Sequence, residues 1–411
     1  MKSHRIGLAL AGGGFLGAAY ELGALAALAE SIDGLELNRL DAYVGVSAGS
    51  FVAAGLANGL SPYEMVRMFI DSKDKATSFD PTGLVQPAYR ELADAIRALP
   101  GVSRAALAAS LENLPLGLKA MLWRALERVG PALPTGLLSS EPAQKKLAEL
   151  LNRAGRSNDF RQLAPTLRVV ATDIDSGKSI SFGEPGFDHI PISQAVAASS
   201  AIPGLFAPVV IDGRYYVDGA LNKTLHASVA LDAGAELVFC INPLVPYAAR
   251  HSASERQAAR LSPHNNLTSL LSQSVRTAIR SRMSVGLEKY RITHPHASVL
   301  LFEPNADDAR TFHASMFSVT RRRELCEHAY QQTRADLRLR AQSLSKTLAR
   351  HNLQLNHAVL AERSLTLFSD GARTEPALPQ SLDATATRLR YVLDDLDRTM
   401  FLSQLGALNR G

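Results

Sequence analysis

The chain has 411 residues, 46% of them hydrophobic and 20% charged, with 44 basic against 39 acidic side chains for a formal net charge of +5. This composition excludes a disordered chain and leaves enough length for one large core with an added region, or for two ordinary domains. The charge balance is too even to argue by itself for a polyanionic partner, and a chain with two cysteines has no disulfide framework.

The N-terminus starts basic and continues apolar, but Gly12 to Gly14 and then Glu21 interrupt the stretch, so a signal peptide is not expected. No apolar run reaches the roughly eighteen residues of a membrane span. The expectation is a cytoplasmic protein with room for reversible peripheral membrane contact.

In chain order, Ile6 to Ala11 reads as a short buried strand, Gly12 to Gly17 as a glycine turn, and Ala18 to Glu30 as a helix with an apolar face at Leu22, Leu25 and Leu28. A second strand around Asp41 to Val44 leads into Gly45-Val46-Ser47-Ala48-Gly49 and another helix-like stretch from Ser50 to Asn58. This is the layering of a parallel α/β protein. From 61 to 165 the pattern turns helical, with segments at Ala88 to Leu99, Arg104 to Leu111 and Leu116 to Val129. This insertion fits either a lid with an interfacial surface or an ordinary packing layer.

Strand-like runs return at Thr166 to Ala171, Val209 to Ile211, Tyr215 to Asp218, Leu237 to Asn242 and Val299 to Glu303, which places the core domain at 1–318. Cys240 falls in the largely apolar run before Asn242, where a buried thiol is expected. Leu271, Val275, Ile279, Met283 and Leu287 recur every four residues as the packing stripe of a helix, and Arg276, Arg280 and Arg282 lie off it as solvated residues. Residues 319–411 read as a helical region. Its stretch from Val319 to Arg350 carries eight Lys or Arg against three acids, opening on Arg321, Arg322 and Arg323. That helix fits a solvated face or contact with anionic headgroups or nucleic acid phosphates, and the C-terminal helices are a candidate surface for a homodimer.

Gly12-Gly13-Gly14-Phe15-Leu16-Gly17 matches the G-x-G-x-x-G spacing between a strand and a helix. A dinucleotide site would want an acid near the end of the second strand, yet Asp33 and Glu36 precede that strand. The second strand runs instead into G-x-S-x-G, in which Gly45 and Gly49 let the chain turn tightly so that the Ser47 hydroxyl projects. In a β-α-β unit the glycine turn lies beside that serine. The N–H groups of Gly12, Gly13, Gly14 and Phe15 then face the place where an oxyanion would develop.

A serine needs a proton acceptor. His226, His294, His296 and His313 are available in the order an α/β-hydrolase would want, but none has a distinguishing context and an elbow as early as residue 47 does not suit that fold. Asp218 ends an apolar strand after a hairpin turned at Asp212-Gly213 and is followed by glycine, so a rigid element can present it to the hydroxyl directly. Asp212 reads as a turn residue.

With these motifs the chain resembles the patatin-like phospholipase family: the glycine segment 12–17, the elbow 45–49, the block Ala197 to Phe206 with Pro208, and Asp218-Gly219-Ala220. The likeness covers residues 5 to about 305. It implies a three-layer α/β/α sandwich with a mainly parallel central sheet, here with a helical insertion and a C-terminal helical extension. It also implies a Ser47–Asp218 dyad without histidine that releases fatty acid from phospholipid, lysophospholipid or neutral lipid, with no cofactor. The chain departs from the family pattern at Leu16, where Arg or Lys is common, and at Ala220 and Asn222-Lys223-Thr224, where Gly and Asn-x-Pro are usual.

Ile202, Leu205 and Phe206 are candidates to line an acyl pocket and fit plain core equally. Asp173 and Asp175 read as an ordinary turn without the further oxygens of a calcium loop, so no metal is expected. Three other functions remain open: an esterase or thioesterase for small soluble acyl compounds, a catalytically weak lipid-binding scaffold, and nucleic acid binding through Arg321, Arg322 and Arg323. The last lacks a nucleic-acid-reading module, and no nucleic acid partner is expected.

Overall fold

A computed structural model describes residues 5–71, 86–88, 135–246, 267–306, 308 and 321–368. The segments read as helices at 88–99, 104–111 and 116–129, the last helical stretch at 389–408, and His313 fall almost wholly outside these residues.

The chain opens with β1 (Ile6–Leu10), α1 (Gly14–Ser31), β2 (Ile32–Asp33), β3 (Ala42–Val46), α2 (Ala48–Ala57) and α3 (Pro62–Phe69). It continues with β4 (Gln86–Pro87), β5 (Gly136–Ser139), α4 (Glu141–Leu151), β6 (Thr166–Asp173), β7 (Lys178–Phe182) and α5 (Ile192–Ser199). Next come β8 (Gly204–Phe206), β9 (Val209–Ile211), β10 (Arg214–Asp218), a 3-10 turn at Gly219–Leu221, α6 (Ala227–Asp232) and β11 (Leu237–Ile241). The remaining elements are α7 (Leu267–Thr293), β12 (Ser298–Phe302), α8 (Arg322–Leu339), α9 (Ala341–Ala349), β13 (Gln354–Leu355) and α10 (His357–Ala361).

The main sheet runs β12-β11-β1-β3-β6-β10-β9, with β7 also paired to β6. The first five are parallel, and β7, β9 and β10 run antiparallel to their neighbours. Alternation along the strands sorts side chains between two layers. Leu8, Leu10, Tyr43, Val169, Phe239 and Ile241 face the larger core with α1 and α2. Ala9, Val44, Val46, Val170, Val238 and Cys240 face α6 and the Met283 and Tyr290 side of α7. The α/β/α sandwich with its mainly parallel sheet is therefore as the sequence indicates. Two short strands at 86–87 and 136–139 join β8 in a second small sheet that the helical reading of 61–165 does not contain.

The helix α1 is buried on every side, not on one face as its leucine spacing suggests. The reason is α8, which packs along its outer side. A Cβ at Gly23 would lie 2.0 Å from the Cys326 carbonyl oxygen, so only glycine permits this approach. Leu325, Ala329, Leu337, Leu344 and Leu348 belong to the same core as the sheet, and β13 pairs with β2. The described part of the C-terminal region thus caps the core. Wholly buried Arg334 fastens its end by donating to the carbonyls of Val359 at 2.6 Å and Glu362 at 2.7 Å.

Arg276 on α7 corrects the solvated reading, because it is buried and donates to the Val245 carbonyl. Arg280 and Arg282 are exposed as that reading has them, and pair with Glu303 and with the carbonyls of Leu221 and Asn222. Arg323, likewise, pairs with Asp71 at 2.8 Å and stacks over Phe368.

Candidate active site

The elbow is built by sterics. β3 delivers Ser47 at φ 53, ψ −125, a conformation an L-residue adopts only under constraint. A Cβ at Gly45 would meet the Ser50 Cα at 2.3 Å, and one at Gly49 the Ala11 carbonyl oxygen at 2.5 Å, so both flanking positions need glycine. Ser47 then heads α2, whose first turn is closed by the Ser50 N–H and hydroxyl donating to the Ser47 carbonyl at 2.9 Å and 2.5 Å.

Asp218 arrives from the other direction. The hairpin β9–β10 turns at Asp212 (φ 50) and Gly213 (φ 77), the two left-handed residues of a tight hairpin. β10 then runs toward the end of β3. β6 pairs with both: Val46 opposes Val170, and Asp218 opposes the next residue, Ala171. The Ser47 hydroxyl faces the Asp218 carboxylate, and the Ala220 N–H donates to its Oδ1 at 2.8 Å. Burial pushes the Asp218 carboxyl up to about 6 against the opposing pull of the Ser47 hydroxyl and the Ala220 N–H. Both residues are buried, Ser47 at 3% and Asp218 at 4% exposure, in the way that concentrates electrostatic effects.

The glycine turn closes the third side. A Cβ on Gly12 would sit 3.1 Å from the Ser47 Cβ, which measures how near this backbone comes to the nucleophile. Gly13 caps α1 without any side-chain bond, and Gly17 N–H donates to the Gly13 carbonyl at 3.0 Å. The N–H groups of Gly14, Phe15 and Leu16 therefore have no acceptor within the helix and stand at its positive end.

A cavity of about 160 Å³ opens from Ser47, walled chiefly by Phe15, Phe51, Phe69, Leu147, Ile202 and Phe206. Of the three pocket candidates, Ile202 and Phe206 line it and Leu205 does not. Arg322, from the basic start of α8, reaches the same cavity.

The histidines are elsewhere among the described residues. His226 bonds the Lys223 carbonyl at 2.9 Å, and burial with the Lys223 charge pushes its pKa down to about 3; His294 pairs with Asp232, and His296 is exposed. Asp173 is held inside its own turn. Burial would raise its carboxyl, but bonds from Ser176 and Arg214 and from the Asp175 and Ser176 N–H groups outweigh that and lower it. Among the described residues no group of three or more potential ligands is placed for a metal ion, and no helix is long and apolar enough to cross a membrane. Sequence reasoning missed Ser199, whose hydroxyl accepts from the Ser47 N–H at 2.8 Å, and Thr172, whose hydroxyl donates to the Asp218 carbonyl at 3.2 Å. Ser199 lay in plain view inside the 197–206 block.

Residues 8–231, which carry every part of this site except Arg322 in the cavity lining, match the family model for patatin-like phospholipases. The chain belongs to the patatin-like phospholipase family. Among curated relatives, uncharacterized NTE family proteins of Mycobacterium bovis and Mycobacterium tuberculosis are 34% identical over 83 residues. That stretch is 20% of this chain and 22% of theirs, so the match spans about a fifth of the length of those relatives. Among solved structures, VipD from Legionella pneumophila aligns over 80% of this chain and 66% of its own, at 18% identity and a TM-score of 0.36. The type III effector protein ExoU aligns over 82% of this chain and 53% of its own, at 16% identity and a TM-score of 0.31. Both scores are too low to equate the overall arrangements.

Proposed function

We propose that the protein is a lipid acyl hydrolase of the phospholipase A or lysophospholipase type, with Ser47 as nucleophile and Asp218 as base. The observation that carries this reading is the buried pairing of the Ser47 hydroxyl with the Asp218 carboxylate at the edge of an apolar cavity. Family membership supports the lipid class of the substrate.

In the proposed reaction Asp218 takes the Ser47 proton as Oγ attacks the ester carbonyl, then returns it to the leaving alcohol. The developing oxyanion is held by N–H groups of the Gly12–Phe15 turn and by the positive end of α1, a kind of stabilisation in which one donor is worth about 3 kcal/mol. Asp218 next draws a proton from water, which splits the acyl-enzyme and frees the fatty acid. A carboxyl near pKa 6 is ionised at neutral pH and more basic than an ordinary carboxylate, as the first step requires. The acyl chain lies in the cavity against Phe15, Phe51, Phe69, Ile202 and Phe206. None of these steps calls for a metal or an organic cofactor. Access to a lipid aggregate requires peripheral contact with its surface.

The reading is tested by labelling the protein with an alkyl fluorophosphonate and mapping the adduct by mass spectrometry. An adduct on Ser47 that disappears in Asp218→Asn is expected; an adduct on another residue removes Ser47 from its role.

A further inference from the structure

Ser199, the last residue of α5, is wholly buried and does not line the cavity. Its hydroxyl makes two bonds at once, accepting from the Ser47 N–H at 2.8 Å and donating to the Val170 carbonyl at 2.6 Å. Val170 is the β6 residue opposite Val46, and its neighbour Ala171 opposes Asp218. One hydroxyl thus fastens the nucleophile's backbone to the strand that sets the position of both dyad residues.

The Ser47 N–H has nowhere else to go. β3 ends at Val46 and α2 begins at Ala48, so the donor belongs to neither ladder, and in a buried site it would stay unsatisfied. A residue at φ 53, ψ −125 keeps that conformation only when its surroundings over-determine it. There is also a chemical consequence. In some serine hydrolases the nucleophile's own N–H helps to hold the oxyanion; here that group is already engaged at 2.8 Å, which leaves the task to the glycine turn.

We propose that Ser199 is a positioning residue for the hydrolysis: it locks Ser47 in the elbow and commits the oxyanion to the N–H groups of residues 12–15. This rests on the reading of Ser47 as nucleophile. Ser199 touches neither the cavity nor the Asp218 carboxylate, so its loss acts on the approach of Oγ to the carbonyl and leaves substrate binding and the proton acceptor in place.

The test compares wild type, Ser199→Ala and Ser199→Thr for the rate of Ser47 labelling by an alkyl fluorophosphonate, for kcat and KM on a chromogenic long-chain ester, and for thermal unfolding. The expected result is labelling and kcat about 10²-fold lower in Ser199→Ala, the loss a displacement of about 1 Å produces. KM and the pH midpoint stay unchanged, and Ser199→Thr recovers most of the rate because it keeps the hydroxyl. If Ser199→Ala does not fold, Ser199→Cys replaces it, since the thiol keeps the shape and weakens both bonds; slow labelling supports the proposal. Labelling at the wild-type rate in either variant overturns it. A wild type that is not labelled at Ser47 overturns the nucleophile assignment itself, an outcome distinct from a labelled wild type with an equally reactive Ser199→Ala.

Discussion

Val46 and Asp218 lie end to end along one edge of β6, opposite the adjacent residues Val170 and Ala171. A parallel strand and an antiparallel strand therefore meet head-on, and the first residue past one faces the last residue of the other. This arrangement buries the Asp218 carboxylate, and burial is the first cause of its pKa of about 6. Activity is accordingly expected to rise with pH through a midpoint near 6, because only the ionised form accepts the Ser47 proton. A kcat/KM profile that stays flat between pH 5 and 8 would contradict this assignment of the base.

The same displacement carries a stability cost. Folded Asp218 binds its proton more readily than unfolded Asp, so stability from this group falls as pH rises from about 4 to about 6 and stays low above that. A shift from 3.8 to about 6 corresponds to roughly 3 kcal/mol. Asp218→Asn should therefore unfold at a higher temperature than wild type at pH 8 while losing activity, with the difference in melting temperature shrinking toward pH 4.

Glu21 gives a second case of the same sign. It is wholly buried in α1, neither carboxyl oxygen has a hydrogen-bond partner among the described residues, and burial holds its pKa well above the usual carboxylate range. Glu21→Met keeps a similar volume and removes a polar group that costs about 1–3 kcal/mol to bury unpaired. Urea unfolding at pH 8 should show a gain in stability that narrows as pH falls. A loss of stability would mean that Glu21 has a partner.

Ala143 sits half-buried on α4 and faces the cavity. Ala143→Phe places a ring in that space, so esters of long acyl chains should lose kcat/KM by about ten-fold or more, in line with the kcal/mol scale of apolar pocket contacts, while acetyl esters keep theirs. Equal losses for short and long chains would move the acyl chain out of the cavity.

Arg334 is the anchor of the described tail. Arg334→Met removes the bonds to the carbonyls of Val359 and Glu362, at about 1 kcal/mol for each acceptor that water can still reach. Unfolding should occur at lower urea concentration, and limited proteolysis should cut first within 357–368. Activity per folded molecule should not change.

Much of the fold and of the site is encoded locally. The strand Ile6–Leu10, the Gly45 to Gly49 elbow and the Asp212-Gly213 turn each need particular residues within a few positions, and the sequence shows them. Features set by distant partners escape such a reading. Ser199 meets Ser47 across 152 positions. The arginine at 276 looks like any other helix-surface cation until the Val245 carbonyl is placed beside it. The helix α1 does carry a hint of its enclosure: small or apolar residues stand on all its sides, as in a helix covered by a second layer. The strands at 86–87 and 136–139 are too short for alternation to register.

The most direct measurement is fatty acid release from phosphatidylcholine and lysophosphatidylcholine vesicles in the presence of a chelator, for wild type, Ser47→Ala and Asp218→Asn. The account predicts release by the wild type and near-complete loss in both variants with the folded state retained. Release from soluble esters alone, or full activity in Asp218→Asn, would contradict it: the first removes the lipid substrate, and the second removes the base.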